Sequence, residues 1–170
     1  VYKSTDAGVS WRKINKGLPV VEIGRIGMDI SPVDNNVLYA IVEAADRQGG
    51  FYKSVDMGES WSKQSGKVTS GNYYQEIFAD PVDLETVYVM DTWMSVTKDG
   101  GKTFKNVGED FKQVDNHAMW INPNNNNHWL VGCDGGIYET FDAAKNWDFK
   151  KNLPVTQFYK VAVDTDVPFY

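Results

Sequence analysis

Asp115 and His117 stand two residues apart, a carboxylate beside an imidazole. At the start of a strand, residues so spaced point to the same side. The pair suits acid–base chemistry, or supplies two metal ligands. Two groups fall short of a defined metal site and the sequence specifies no third, so neither a metal nor any other cofactor is expected. A buried hydrogen-bonded pair is the bland alternative. A second group, Asn72, Tyr73, Tyr74 and Gln75 with Trp93 further on, sets flat rings beside amides. Such a surface suits the apolar faces and hydroxyls of a sugar, or a peptide, unless the rings turn into a core. Asn72, Tyr73, Tyr74, Gln75, Trp93, Asp115 and His117 are therefore the candidate ligand-binding residues. Asp115 and His117 are the weak catalytic candidates, and no catalytic residue is assigned.

Other chemistry-bearing residues have simpler readings. Asp134-Gly135-Gly136 reads as a tight turn closed by an Asx-type bond. Glu22, Arg25, Asp46 and Arg47 read as ordinary surface pairing, and His128, after a run of asparagines, as solvated or packed. No nucleophile elbow, phosphate-binding loop, dinucleotide fingerprint or zinc signature is present. The single cysteine, Cys133, excludes an internal disulfide. With 17 basic and 23 acidic residues the formal charge is −6, which disfavours a nucleic-acid partner. Apolar stretches such as 37–42 are far too short to span a membrane.

These residues must be positioned by a repeat. One eight-residue pattern occurs four times, at 4–11, 54–61, 97–104 and 140–147. Its aspartates, Asp6, Asp56, Asp99 and Asp142, are spaced 50, 43 and 43 residues apart. That period fits one four-stranded propeller blade per repeat. A second pattern alternates with it: a short apolar strand, a Pro/Asn/Asp turn and another apolar strand, as at 26–40, 77–89 and 119–131. Together they predict an all-β chain, a β-propeller segment of antiparallel blades with strands A to D. Three full blades are expected at about 23–66, 74–108 and 117–151, with half-blades at 1–16 and 158–170. Half-blades leave open strand edges, so a piece of a longer propeller is expected. A closed four-bladed ring is the alternative.

Within each eight-residue pattern the aspartate sits in the C–D turn, where it can accept backbone N–H bonds. Gly8, Gly58 and Gly101 permit positive φ, and the fourth copy has Ala144 there, at a cost of about 1 kcal/mol if φ is positive. The closing Trp11, Trp61, Phe104 and Trp147 are expected to plug the space between sheets. A catalytic or calcium role for the four aspartates is disfavoured, because each falls in a different blade's turn.

The pattern is the Asp box, and the chain resembles the BNR/Asp-box superfamily, which includes sialidases, sortilin-type receptors and xyloglucan-cleaving endoglucanases. The phrases at 115–123 and 132–138 look most similar to bacterial exported proteins with sortilin-like, glycosyl-hydrolase-like repeats. That resemblance implies a secreted or cell-envelope setting. Sialidases use an arginine triad, and Arg12, Arg25 and Arg47 do not reproduce it. Neither aspartate of the endoglucanases can be placed here.

Antiparallel connection puts the A–B turns and Asp boxes on one face and the B–C and D–A loops on the other. Function is expected on the second face, where Tyr73, Trp93 and His117 fall. The leading reading is a noncatalytic module that binds protein, peptide or glycan, alongside the remaining blades of its own propeller. The alternative is a glycoside hydrolase, which needs two opposed carboxylates roughly 5 Å or 6.5–9.5 Å apart. A purely structural propeller is the third.

Overall fold

The computed structural model describes residues 1–71 and 74–153. Asn72, Tyr73 and the half-blade expected at 158–170 lie outside the described residues. The chain opens on a two-stranded hairpin, β1 (Tyr2–Lys3) and β2 (Arg12–Lys13). Three four-stranded antiparallel sheets follow. The first holds β3 (Ile23–Ile30), β4 (Leu38–Ala44), β5 (Gly50–Ser54) and β6 (Ser62–Ser65). The second holds β7 (Ile77–Ala79), β8 (Val87–Val89), β9 (Ser95–Thr97) and β10 (Lys105–Asn106). The third holds β11 (Asn116–Ile121), β12 (Trp129–Cys133), β13 (Gly136–Thr140) and β14 (Asp148–Phe149). In each, strands pair in chain order, so each sheet is a meander and the fold is a segment of a β-propeller. Among the described residues, no helix is long and apolar enough to cross a membrane.

The sheets are glued face to face by residues of alternating parity. Tyr39, Ile41 and Phe51 of the first sheet pack against Ile77, Ala79, Val87 and Val89 of the second. Tyr88, Met90 and Met94, whose side chains lie on the second sheet's other side, pack against Met119, Ile121, Trp129 and Val131 of the third. Counting back from Pro81 and Pro123, Ile77 and Ala79 match Met119 and Ile121, and all four are at most 8% exposed. Their counterparts on β3, Met28 and Ile30, are about half exposed, because among the described residues no full sheet packs on that side of β3.

The eight-residue turns repeat almost atom for atom. In the first full sheet, Ser54 Oγ donates to Asp56 Oδ1 at 2.7 Å and accepts the Gly58 N–H at 2.9 Å. Asp56 in turn accepts the Ser60 N–H at 2.9 Å and the Ser60 hydroxyl at 2.5 Å. The fourth copy keeps the set: Ala144 N–H donates to Thr140 Oγ1 at 3.0 Å, and Asn146 Nδ2 replaces the hydroxyl at 2.7 Å. Two consecutive residues of each turn have positive φ, as at Met57 (59°) and Gly58 (83°), or Ala143 (55°) and Ala144 (71°). The sequence pattern pointed only to the second.

Trp61 is buried and its Nε1 donates to the Ile14 carbonyl of the preceding hairpin. Trp147 makes the same backward bond, to the Gly108 carbonyl at 2.8 Å, and Phe104 packs edge-on against Phe51. Trp11 departs from the expected inter-sheet plug. It is 63% exposed and bonds only the Gly8 carbonyl of its own turn, since no described sheet lies before it.

The turn carboxyls predict an acid response. Asp6, Asp56, Asp99 and Asp142 are each lowered to about 2, chiefly by the side chains of Ser10, Ser60, Thr103 and Asn146, then by those residues' N–H groups. A folded-state pKa below the unfolded one means the unfolded chain binds more protons as pH falls. The stabilisation is complete above the ordinary carboxyl range near pH 4 and disappears as pH approaches 2. Urea midpoints measured from pH 5 to pH 2 are expected to fall steeply across that window, and less steeply in Asp56→Asn.

Candidate functional site

Meander topology gathers the β4–β5, β8–β9 and β12–β13 turns and the connections between sheets on one face. On that face the connection from the second sheet to the third runs back over the second sheet's 91–93 loop. Asp115 N–H donates to the Thr92 carbonyl at 2.9 Å, and Asn116 N–H to the Asp91 carbonyl at 3.1 Å. Asn116 is fully buried, and its Nδ2 reaches the same two carbonyls and Glu109 Oε1. Lys112 closes the network, binding Glu109 at 3.0 Å, the Gln113 carbonyl at 2.8 Å and Asn116 Oδ1. This buried ion pair fixes where Asp115 and His117 begin their strand. The sequence reading passed over it, because charged residues in a loop look like surface.

Asp115 takes a positive φ of 73°, and the register between β11 and β12 slips between Asn116 and Ala118, so His117 is a bulge residue. Bulges re-aim side chains. Here the bulge, and not the regular strand alternation assumed from the spacing, leaves His117 Nε2 3.7 Å from Asp115 Oδ1. Asp134, in the two-residue turn between β12 and β13, brings its Oδ1 to 3.3 Å from the same nitrogen. Asp134 was expected to close its own turn through an Asx bond. Instead its N–H donates to the Asp115 carbonyl and its carboxylate faces the imidazole. Asp115, His117 and Asp134 thus offer three ligand atoms within 4.8 Å of one another, where the sequence offered two. Only the pairing of β12 with β11 places Asp134 there, and no local motif announces it.

Tyr74 crosses from the connection ahead of β7 to complete the group. Its ring stacks on His117 with centroids 5.5 Å apart and planes 4° off parallel. Its hydroxyl donates to Asp115 Oδ1 and accepts from Thr92 Oγ1 at 3.2 Å. The bond to Asp115 also raises the Tyr74 hydroxyl above its ordinary range, since losing the proton would set two anions face to face. Trp93, in the neighbouring loop, is 56% exposed.

Gln75 lies beneath this face. It is buried, with Nε2 donating to Thr69 Oγ1 at 2.9 Å and Oε1 without a hydrogen-bond partner among the described residues. It borders a groove of about 620 Å³ between the first full sheet and the 66–75 connection that follows it, whose walls include Val42, Arg47, Val68 and Thr69. His128 lies apart on the opposite face. It is stacked on Phe141 at 4.3 Å and bonded to Glu139 at 2.7 Å, a packed residue as expected.

No protein-family model matches the chain. It is 31% identical over 175 residues to vacuolar protein sorting/targeting protein 10 of Zygosaccharomyces rouxii, covering 94% of this chain and 10% of that protein. It is 26% identical over 172 residues to a xyloglucanase of a Paenibacillus species, covering 83% of this chain and 15% of that one. The chain therefore spans a small part of either relative. Among solved structures, a GH74 enzyme of Niastella koreensis superposes with a TM-score of 0.61 at 13% identity, over 86% of this chain and 26% of that one. These likenesses place the chain among β-propellers, with sortilin-like and glycosyl-hydrolase-like relatives.

Proposed function

We propose that the chain is part of a noncatalytic Asp-box propeller module, secreted or in the cell envelope, that binds a protein, peptide or glycan through the face bearing Tyr74, Trp93, Asp115 and His117. The observation that carries this reading is the composition of that face. It combines a stacked Tyr74–His117 pair, the exposed Trp93 and a groove beside the first full sheet bordered by Gln75. Flat rings beside hydrogen-bonding groups give contact area at low entropic cost. A sorting protein among the relatives supports a protein or peptide partner, and a xyloglucanase supports a glycan.

A glycoside hydrolase is the second reading, favoured by the approach of Asp115 and Asp134 to within 4.8 Å. Glycosidases hold their two carboxyls on opposite sides of the scissile bond. Asp115 and Asp134 lie at the same end of one sheet, just before β11 and in the β12–β13 turn, both facing the same imidazole, which disfavours catalysis by this pair.

Binding to a displayed random-peptide library and to an immobilised polysaccharide panel, xyloglucan included, tests the proposal. Selected ligands are expected to bind at least about tenfold more weakly to Tyr74→Ala and Trp93→Ala, the loss of a contact worth about 1.4 kcal/mol or more. Release of reducing ends from any polysaccharide, abolished by Asp115→Ala or Asp134→Ala, would establish the hydrolase instead.

A further inference from the structure

We infer that Asp115, His117 and Asp134 form a binding site for one divalent transition-metal ion, with zinc the best match to the donor set. Imidazole nitrogen combined with carboxylate oxygen suits zinc, whereas calcium calls for six or more oxygens.

The spacing sets this cluster apart from a direct charged hydrogen bond. A charged hydrogen bond brings nitrogen and oxygen to about 2.7–2.9 Å. His128 meets Glu139 at 2.7 Å in the same sheet. His117 Nε2 stands 3.3 Å from Asp134 and 3.7 Å from Asp115, and no hydrogen bond to its ring is formed among the described residues. Two ligands each about 2.1 Å from a shared ion, at a tetrahedral angle, sit roughly 3.4 Å apart. The observed gaps straddle that distance. They exceed the length of a charged hydrogen bond, and all three ligand atoms lie within 4.8 Å of one another, close enough for one ion to draw them together.

The surroundings fit the same role. The ligands come from two segments held together by the β11–β12 pairing, so the site is built by the fold and not by one flexible loop. Tyr74 donates to Asp115, as residues behind metal ligands commonly do to orient them. Side-chain exposures of 33% for Asp115, 40% for His117 and 62% for Asp134 leave coordination positions open toward solvent. A bound ion would accept a carboxylate, carbonyl or hydroxyl of a ligand there. That last step rests on the binding role proposed above; the ion site itself does not.

Titration of the tag-free chain with zinc chloride by calorimetry tests the site, with cobalt(II) absorption as a second readout. One ion per chain is expected. His117→Ala and Asp134→Asn should each weaken binding by about 100-fold or more, and Tyr74→Phe by on the order of tenfold, as a residue behind the ligands does. Asp46→Asn, at an exposed turn on the same face, should leave affinity unchanged. Absence of saturable zinc uptake, or uptake that survives both His117→Ala and Asp134→Asn, overturns the site. Ligand capture is read separately with and without EDTA. Zinc uptake without capture supports the ion site and counts against the binding module. Capture that persists in EDTA supports the module and overturns the ion's part in recognition.

Discussion

Lys112→Met is expected to destabilise the chain by about 3–5 kcal/mol, the cost of leaving one member of a buried ion pair without its partner. The Lys112 and Glu109 side chains are 0% and 1% exposed. Without the ammonium, the Glu109 carboxylate keeps the Met94 and Asn116 donors but loses its neutralising charge. The Gln113 carbonyl and Asn116 Oδ1 are left unsatisfied as well. Against a typical folding stability of about 5–15 kcal/mol, that is a large share. Urea denaturation measures it directly. Adding Glu109→Gln should restore part of the loss, because a neutral amide tolerates the apolar neighbour that a carboxylate does not. A Lys112→Met chain as stable as the parent would show that the pair is solvated and does not anchor the 108–116 connection. The consequence reaches the site, since Asn116 in this network holds the backbone on which Asp115 and His117 are mounted.

The repeat was legible in the sequence because each turn is self-contained. Serine or threonine, aspartate and glycine, within eight residues, specify their own hydrogen bonds, and every sheet expected within the described residues forms around them. The candidate site was half legible for the complementary reason. Asp115 and His117 are neighbours in sequence, so their proximity could be read there, although a positive φ at Asp115 and a bulge at His117, not regular strand alternation, bring them together. Asp134 joins them only through the β11–β12 register, and Tyr74 only by crossing from the connection ahead of β7. Likewise, nothing local marks Glu109 and Lys112 as buried; their environment is made by Met94, Asn116, Tyr138 and Trp147 from elsewhere. The exposure of Trp11 is the converse case. Its turn is intact, but a plug needs a sheet to fill against.

Gly101→Ala is expected to cost about 2–4 kcal/mol, although alanine occupies the matching position, 144, in the next sheet. Two effects contribute at position 101. Its φ of +96° charges a side chain about 1 kcal/mol, and an added methyl would overlap the ring of buried Phe51, an overpacking cost of about 1–3 kcal/mol. Ala144 meets the first cost but escapes the second. Phe51 lies three residues before Ser54, and the residue in that place one sheet later, three before Thr97, is Met94. Met94 packs in the same cluster as Ala144, and an unbranched thioether yields where a ring cannot. Ala144→Gly should therefore be nearly neutral: relief of about 1 kcal/mol of backbone strain is offset by loss of a buried methyl worth about 0.8 kcal/mol. The decisive measurement is a double-mutant cycle. If the ring is the obstacle, Phe51→Met combined with Gly101→Ala will be more stable than the two single changes predict by at least about 1 kcal/mol. Strict additivity would place the whole penalty in the backbone and make Ala144 a strained residue like any other.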